Sequence, residues 1–278
     1  MQLPEILMKP APKLSLITVC YQAEKVLEQS LQSAMMQDFQ DFEFVIIDGG
    51  SKDNTLQIAE KFRNKIGYLI SEKDHGIYDA MNKGIKAAKG DWLYFLNAGD
   101  SFYHSKVLSS IFEGNKYEKY NFIYGKVQTK NEPTGINYVS GEPVSLKDFY
   151  SKYPICHQAT FSRKLLFNKI GLFDTKYKLA ADTEWFARVF KAEAENCIFI
   201  DEIIAFYDIQ GTTYHKRMAG YMEYLDFGKK HFPIFVSIKN HLFYPILWVK
   251  VKLIRLLSQS RLFQQYRKLK FNKQLASN

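Results

Sequence analysis

Cysteine is scarce in this chain, and the three present, Cys20, Cys156 and Cys197, are widely separated. Their odd number and spacing exclude a disulfide framework and a thiolate metal site, and favour reduced, buried thiols in a cytosolic setting. No uninterrupted apolar run approaches the ~20 residues of a spanning helix. Met1 to Pro12 has neither a basic segment followed by a long apolar one nor a small-residue cleavage site, so it does not read as a signal peptide. Internal repeats and low-complexity linkers are also absent. The first strand-to-helix turn, Cys20-Tyr21-Gln22-Ala23-Glu24, lacks the glycines and basic residues that a nucleotidyltransferase would use there. Acidic residues are missing from the last stretch: Phe227 to Asn278 holds eleven Lys or Arg and no Asp or Glu. With a net charge of +9, residues 1–226 therefore sum to −2, which is 9 less 11.

What is present suits a substantial core. The chain has 278 residues, 46% of them apolar, room for one large or two small domains. Leu14–Tyr21, Phe42–Ile47, Tyr68–Ser71 and Asp91–Leu96 read as strands. Between them, Glu24 to about Met36, Thr55 to about Arg63 and Ile77–Ala88 read as helices, the last ended by Gly90. Such alternation predicts a parallel sheet with both faces covered. Phe122–Thr129 and Asn137–Gly141 suggest antiparallel strands, Ala181–Ala192 a helix, and Cys197–Ile209 a strand or two. The expected organisation is a domain over residues 1–227 and a basic amphipathic extension over 228–278. In that extension Lys and Pro interrupt the apolar groups Phe232–Val236 and Phe243–Val249, so it should lie on an anionic bilayer rather than cross it. Interleaved aliphatic side chains argue against a nucleic-acid groove.

Several motifs carry chemistry. Asp48-Gly49-Gly50-Ser51 follows a strand and lets backbone approach a ligand, its carboxylate able to accept from a base or ribose; the alternative is a turn that merely caps. Asp74 adds a second carboxylate, and Lys83 either reaches a phosphate or is a solvated surface lysine. Asn97-Ala98-Gly99-Asp100 also follows a strand, where Asp100 could share a hard divalent cation with substrate phosphates or cap a helix near 104–112. Asp182 opens a helix and either removes a proton from a sugar hydroxyl or caps; Glu184 orients an acceptor or is solvated. His75 and His215 are loop histidines, more often surface groups than ligands.

Three segments, Ile17–Ala23, Ile46–Thr55 and Gly76–Gly84, resemble in order and spacing the family 2 inverting glycosyltransferases of the GT-A fold. The resemblance spans about Pro12 to Thr213 and is nearest to bacterial enzymes that assemble surface polysaccharides. It implies a Rossmann-like α/β fold with a mixed, mainly parallel sheet. It also implies transfer of a sugar from a nucleotide-diphosphate donor, UDP-linked, to a glycan or lipid-linked acceptor. A non-catalytic nucleotide-sugar or polysaccharide-binding scaffold is the alternative. By the same resemblance Thr18, Tyr21, Ala23, Asp48, Gly49 and Asp74 surround the nucleoside, Lys83 lies near the diphosphate, and Asn97 and Ala98 face the donor. Asp182 matches the base, His157, Gln158 and Glu184 the acceptor side. Asp100, with His215 as a possible addition, matches the ligands of Mn or Mg. The family commonly has more carboxylates where Asn97 and Gly99 stand, a departure that leaves metal binding more dependent on the diphosphate. The implied location is the cytoplasm, peripheral on the inner face of the cell membrane.

Overall fold

A computed structural model describes residues 10–131, 136–208 and 217–257. The chain divides into two compact units, Met1–Tyr224 and Leu225–Asn278. In the first, β1 (Leu14–Cys20), β2 (Phe42–Asp48), β3 (Ile66–Ser71) and β4 (Trp92–Phe95) alternate with α1 (Leu27–Met35), α2 (Thr55–Glu60) and α3 (Ile77–Ala87). Every residue of β1 and β2 is buried, which is why apolar residues stand on both faces of each strand rather than on one. β1 lies between β2 and β4 and parallel to both, with β3 outside β2. Chain order thus reverses at β1, and the carboxyl ends of β1 and β4 open into the crevice where open α/β sheets bind ligands.

The rest of this unit completes one mixed sheet of nine strands among the described residues, in the order β3-β2-β1-β4-β8-β6-β9-β5 with β7 on β6. The added elements are β5 (Ser101–Phe102), α4 (Val107–Phe112), β6 (Phe122–Asn131), β7 (Ile136–Ser140), β8 (Thr160–Arg163), α5 (Lys164–Ile170), α6 (Ala181–Glu193) and β9 (Cys197–Asp208). The expected antiparallel pair is β6 with β7. The short elements β5, β8 and α5 give no periodic signal of their own in the sequence. The helix expected near 104–112 begins only at Val107, with Lys106 at its N-cap, because Ser101 belongs to a strand. Likewise the first helix starts at Leu27 rather than Glu24.

Two pairings aim the later segments at the crevice. β8 runs antiparallel to β4, with Leu93 opposite Ser162, so the residues preceding Thr160 lie at the carboxyl end of β4. β9 is parallel to β6 and antiparallel partners link β6 to β4 through β8, so α6, which leads into β9, starts at that same end. On this face the rings of Phe95, Phe167, Phe173 and Trp185 interlock, Phe167 and Trp185 stacked with centroids 4.2 Å apart.

Helix α3 approaches β1 so closely that a methyl group at Gly84 would sit 2.4 Å from Ile17 Cγ2. Gly-to-Ala normally favours a helix by about 1 kcal/mol, but here the strand is fixed on both sides. We expect Gly84→Ala to lose about 2 kcal/mol of stability through overpacking, read as a lower urea midpoint with an unchanged slope.

The second unit contains the end of α7 (Arg217–His231) and α8 (Ile234–Leu257). Along α8, Phe235, Ile238, Leu242, Ile246, Val249 and Leu253 are exposed at intervals of three and four residues, one apolar stripe. The Lys252 ammonium lies 3.8 Å over the Trp248 ring. Among the described residues no helix is long and apolar enough to cross a membrane.

Candidate active site

The turn after β4 is closed by Asp100 N–H donating to the Asn97 carbonyl at 3.0 Å, with Gly99 at φ +102°. That backbone conformation favours glycine, which explains the missing carboxylate at this position. The turn presents Asn97 and Asp100 together. Gln158 Nε2 donates to Asp100 Oδ1 at 3.4 Å, and Asn97 Nδ2 lies 3.0 Å from His157 Nε2. Burial pushes the Asp100 carboxyl up to about 6, although His157, Gln158 and the Asn97 backbone pull the other way.

Asp182, in the first turn of α6, completes the chain of contacts. Its Oδ1 accepts the Thr183 N–H at 2.7 Å and the Tyr78 hydroxyl at 3.1 Å, and its Oδ2 faces His157 Nδ1 at 3.4 Å. Burial and then the Asp182 charge hold the Tyr78 phenol well above its ordinary range, so it remains a donor to that carboxylate. Tyr78 is not among the expected site residues, although it stands in the Gly76–Gly84 segment that carries the family resemblance, in the first turn of α3. The segment ahead of α6 is fixed by Glu223, whose carboxylate accepts the backbone N–H groups of Lys178, Leu179 and Ala180 at 2.8, 2.8 and 3.0 Å.

A second group gathers after β2 and β3. The exposed Tyr21 ring and Asp74 flank Gly49, where an added Cβ would lie 3.3 Å from each. Ala98 N–H reaches the Val19 carbonyl at 3.5 Å, joining this side to the turn after β4. Helix α3 serves both groups, touching Asp182 through Tyr78 and Asp74 through Lys83.

Five expected residues stand otherwise. Thr18 is fully buried within β1, two residues short of its carboxyl end, and its hydroxyl has no partner among the described residues. Ala23 is buried and its backbone is taken up by structure: its N–H donates to Thr55 Oγ1 at 2.8 Å and its carbonyl accepts Val26 N–H at 3.0 Å and Leu27 N–H at 2.9 Å. The Asp48 carboxylate is turned inward: it accepts Gly50 N–H at 3.2 Å, Ser51 N–H at 2.9 Å and Ser71 Oγ at 2.6 Å, shaping the loop rather than facing a ribose. Lys83 is held by carboxylates rather than left free for a phosphate: Asp74 and Glu72 take its partly exposed ammonium at 2.6 and 2.7 Å, and their hydrogen bonds hold its pKa well above the usual lysine range. Glu184 is buried and forked onto Arg188 Nη2 at 2.9 Å, and Arg188 in turn donates to the Ile170 and Leu172 carbonyls, so this pair clamps a loop and offers nothing to an acceptor. His215 lies outside the described residues.

The sequence profile of glycosyl transferase family 2 matches residues 15–199. The chain belongs to that family. A PGL/p-HBAD biosynthesis glycosyltransferase of Mycobacterium bovis is 36% identical over 203 residues, covering 71% of this chain and 77% of the relative. Among solved structures, S. aureus TarS 1-349 in complex with UDP-GlcNAc superposes with a TM-score of 0.61 at 21% identity, covering 90% of this chain and 74% of that one. The chain spans only 44% of a longer TarS structure. The mannosyltransferase PcManGT of Pyrobaculum calidifontis, in complex with GDP-Man and Mn2+, superposes with a TM-score of 0.62 at 15% identity, covering 96% and 81%. These neighbours establish the GT-A fold, a mixed sheet flanked by helices. As a family 2 glycosyltransferase, the chain carries its crevice on the loops that follow β1, β2 and β4.

Proposed function

We propose that this glycosyltransferase moves a sugar from a UDP-linked donor to a glycan or lipid-linked acceptor of the bacterial cell surface, with inversion at the anomeric carbon. The observation that carries the reading is the continuous chain of contacts from Asp100 and Asn97 through Gln158 and His157 to Asp182 at the end of the sheet. Tyr21, Gly49 and Asp74 offer a ring face and a carboxylate to the nucleoside. Asp182 Oδ2 accepts the proton of the acceptor hydroxyl as that oxygen bonds to the anomeric carbon. The bond from that carbon to the diphosphate breaks on the opposite face, its electron pair leaving with the phosphate. The bound UDP-GlcNAc of TarS supports the donor class, and the PGL/p-HBAD biosynthesis named for the mycobacterial relative supports a role in building a surface glycan.

A divalent cation fits the residues present. Asp100 is a buried hard oxygen ligand whose carboxyl burial drives up, held among the described residues by the Gln158 side-chain amide and the Asn97 backbone. No cluster of three or more His, Cys, Asp or Glu able to hold a metal occurs among the described residues, so the diphosphate would supply the remaining ligands. Such a cation would neutralise charge on the leaving diphosphate. The Mn2+ complex of PcManGT supports this choice.

The test is a panel of UDP-, GDP- and dTDP-sugars incubated with the full chain, with and without Mn or Mg, following nucleoside diphosphate release. Slow cation-stimulated hydrolysis of one UDP-sugar is expected. Silence across the panel, with UDP still bound, would favour a sugar-nucleotide-binding scaffold instead.

The α8 stripe and the Lys and Arg around it support peripheral attachment to an anionic bilayer, each cation near the surface contributing about 1 kcal/mol. Vesicles containing phosphatidylserine should bind the protein, and added salt should weaken that binding. Leu242→Glu with Ile246→Glu should reduce it by about tenfold or more, through lost apolar burial. Equal binding of the double variant in sedimentation would exclude the stripe.

A further inference from the structure

His157 stands between two groups that the transfer step must keep in register. Its Nδ1 faces Asp182 Oδ2 at 3.4 Å and its Nε2 lies 3.0 Å from Asn97 Nδ2. Because Asp182 Oδ1 already accepts from Thr183 and Tyr78, Oδ2 is the oxygen left to receive a proton, and His157 is the side chain that faces it. An amide nitrogen only donates, so in this arrangement Nε2 accepts and the neutral imidazole carries its proton on Nδ1, toward the carboxylate. Asn97 Oδ1 is buried with no partner among the described residues, which leaves the imidazole as the described hydrogen-bond contact of that amide. The imidazole itself is anchored through its backbone, Thr160 Oγ1 donating to the His157 carbonyl at 2.8 Å. Burial opposes a charge on His157 most strongly, yet Asp182 and then Asp100 outweigh it and shift the ring upward.

We propose that His157 is a positioning residue for glycosyl transfer: it aims Asp182 Oδ2 at the acceptor and ties that oxygen to the donor-side turn Asn97–Asp100. The proposal rests on Asp182 as the base. His157 gains and loses no proton in the step; the acceptor proton ends on Asp182.

Two substitutions in the full chain separate the halves of this role. In His157→Asn the side-chain nitrogen overlays Nδ1 and keeps the donor to Asp182 while losing Asn97; in His157→Gln the longer amide reaches Asn97 and loses Asp182. With the best donor of the panel, His157→Gln should lower kcat on the order of 100-fold, as misaimed catalytic groups do. UDP affinity in the presence of Mn2+ and the melting temperature should stay near wild type, and His157→Asn should recover a tenth or more of kcat. Nitrogen-15 spectra of the histidine-labelled wild type should show neutral His157 protonated on Nδ1. The proposal is overturned if His157→Gln turns over at the wild-type rate while Asp182→Asn is silent. It is equally overturned if both His157 variants lose kcat, UDP affinity and melting temperature together, or if the proton sits on Nε2. Asp182→Asn at full rate would sink the base reading, and this role with it.

Discussion

Asp182→Asn is expected to lower transfer by about 10²- to 10⁴-fold, the usual contribution of a positioned base, with UDP affinity unchanged. The amide oxygen can replace Oδ1 under the Thr183 N–H and the Tyr78 hydroxyl, so the first turn of α6 keeps its shape. What is lost is the anionic Oδ2 facing His157, the group proposed to take the acceptor proton. Because the interaction matters only as the hydroxyl ionises, kcat and kcat/KM should fall together. Steady-state kinetics with the panel's donor, beside calorimetric titration with UDP, check both halves. A variant that transfers normally would remove Asp182 from its role.

Asp48→Ala should be the most destabilising single change at the site. The carboxylate is fully buried and holds two backbone N–H groups and the hydroxyls of Ser51 and Ser71. Alanine leaves these donors facing a void, at about 1–3 kcal/mol for each that stays unsatisfied. A loss of about 3 kcal/mol or more is expected, less whatever entering water recovers. The loop carries Gly49 against Tyr21 and Asp74, so UDP affinity should fall as well. Asp48→Asn, which keeps the shape and one acceptor oxygen, should retain more of both. Thermal unfolding and UDP titration of the two variants distinguish this from a direct ribose contact, for which binding would fall with little change in melting temperature.

The first half of the fold was legible because its signals are local. β1 through β4 and α1 through α3 follow from apolar runs, helical spacing and the turn residues between them, each decided within about ten residues. The motifs also singled out the segments Asp48–Ser51, Asn97–Asp100, His157-Gln158 and Asp182, from which the proposed site is built. What each side chain does was not legible. Asp48 and Ser51 look the same in sequence whether the carboxylate faces a ribose or its own loop. Lys83 looks like a phosphate ligand or a solvated lysine until Glu72 and Asp74 close on it. Glu184, four residues before Arg188, carries a visible pairing signal, an opposite charge at helical spacing.

The sequence by itself determined the alternating strands and helices, the covered parallel half of the sheet and the family, since periodicity and short motifs are properties of neighbouring residues. Only the tertiary structure decided which loops meet. His157 reaches Asn97 across 60 positions and Tyr78 reaches Asp182 across 104. Those meetings depend on β8 pairing antiparallel with β4 and on α6 returning to the same sheet edge. Strand pairing of this kind is set by packing over the whole domain, and no local pattern encodes it.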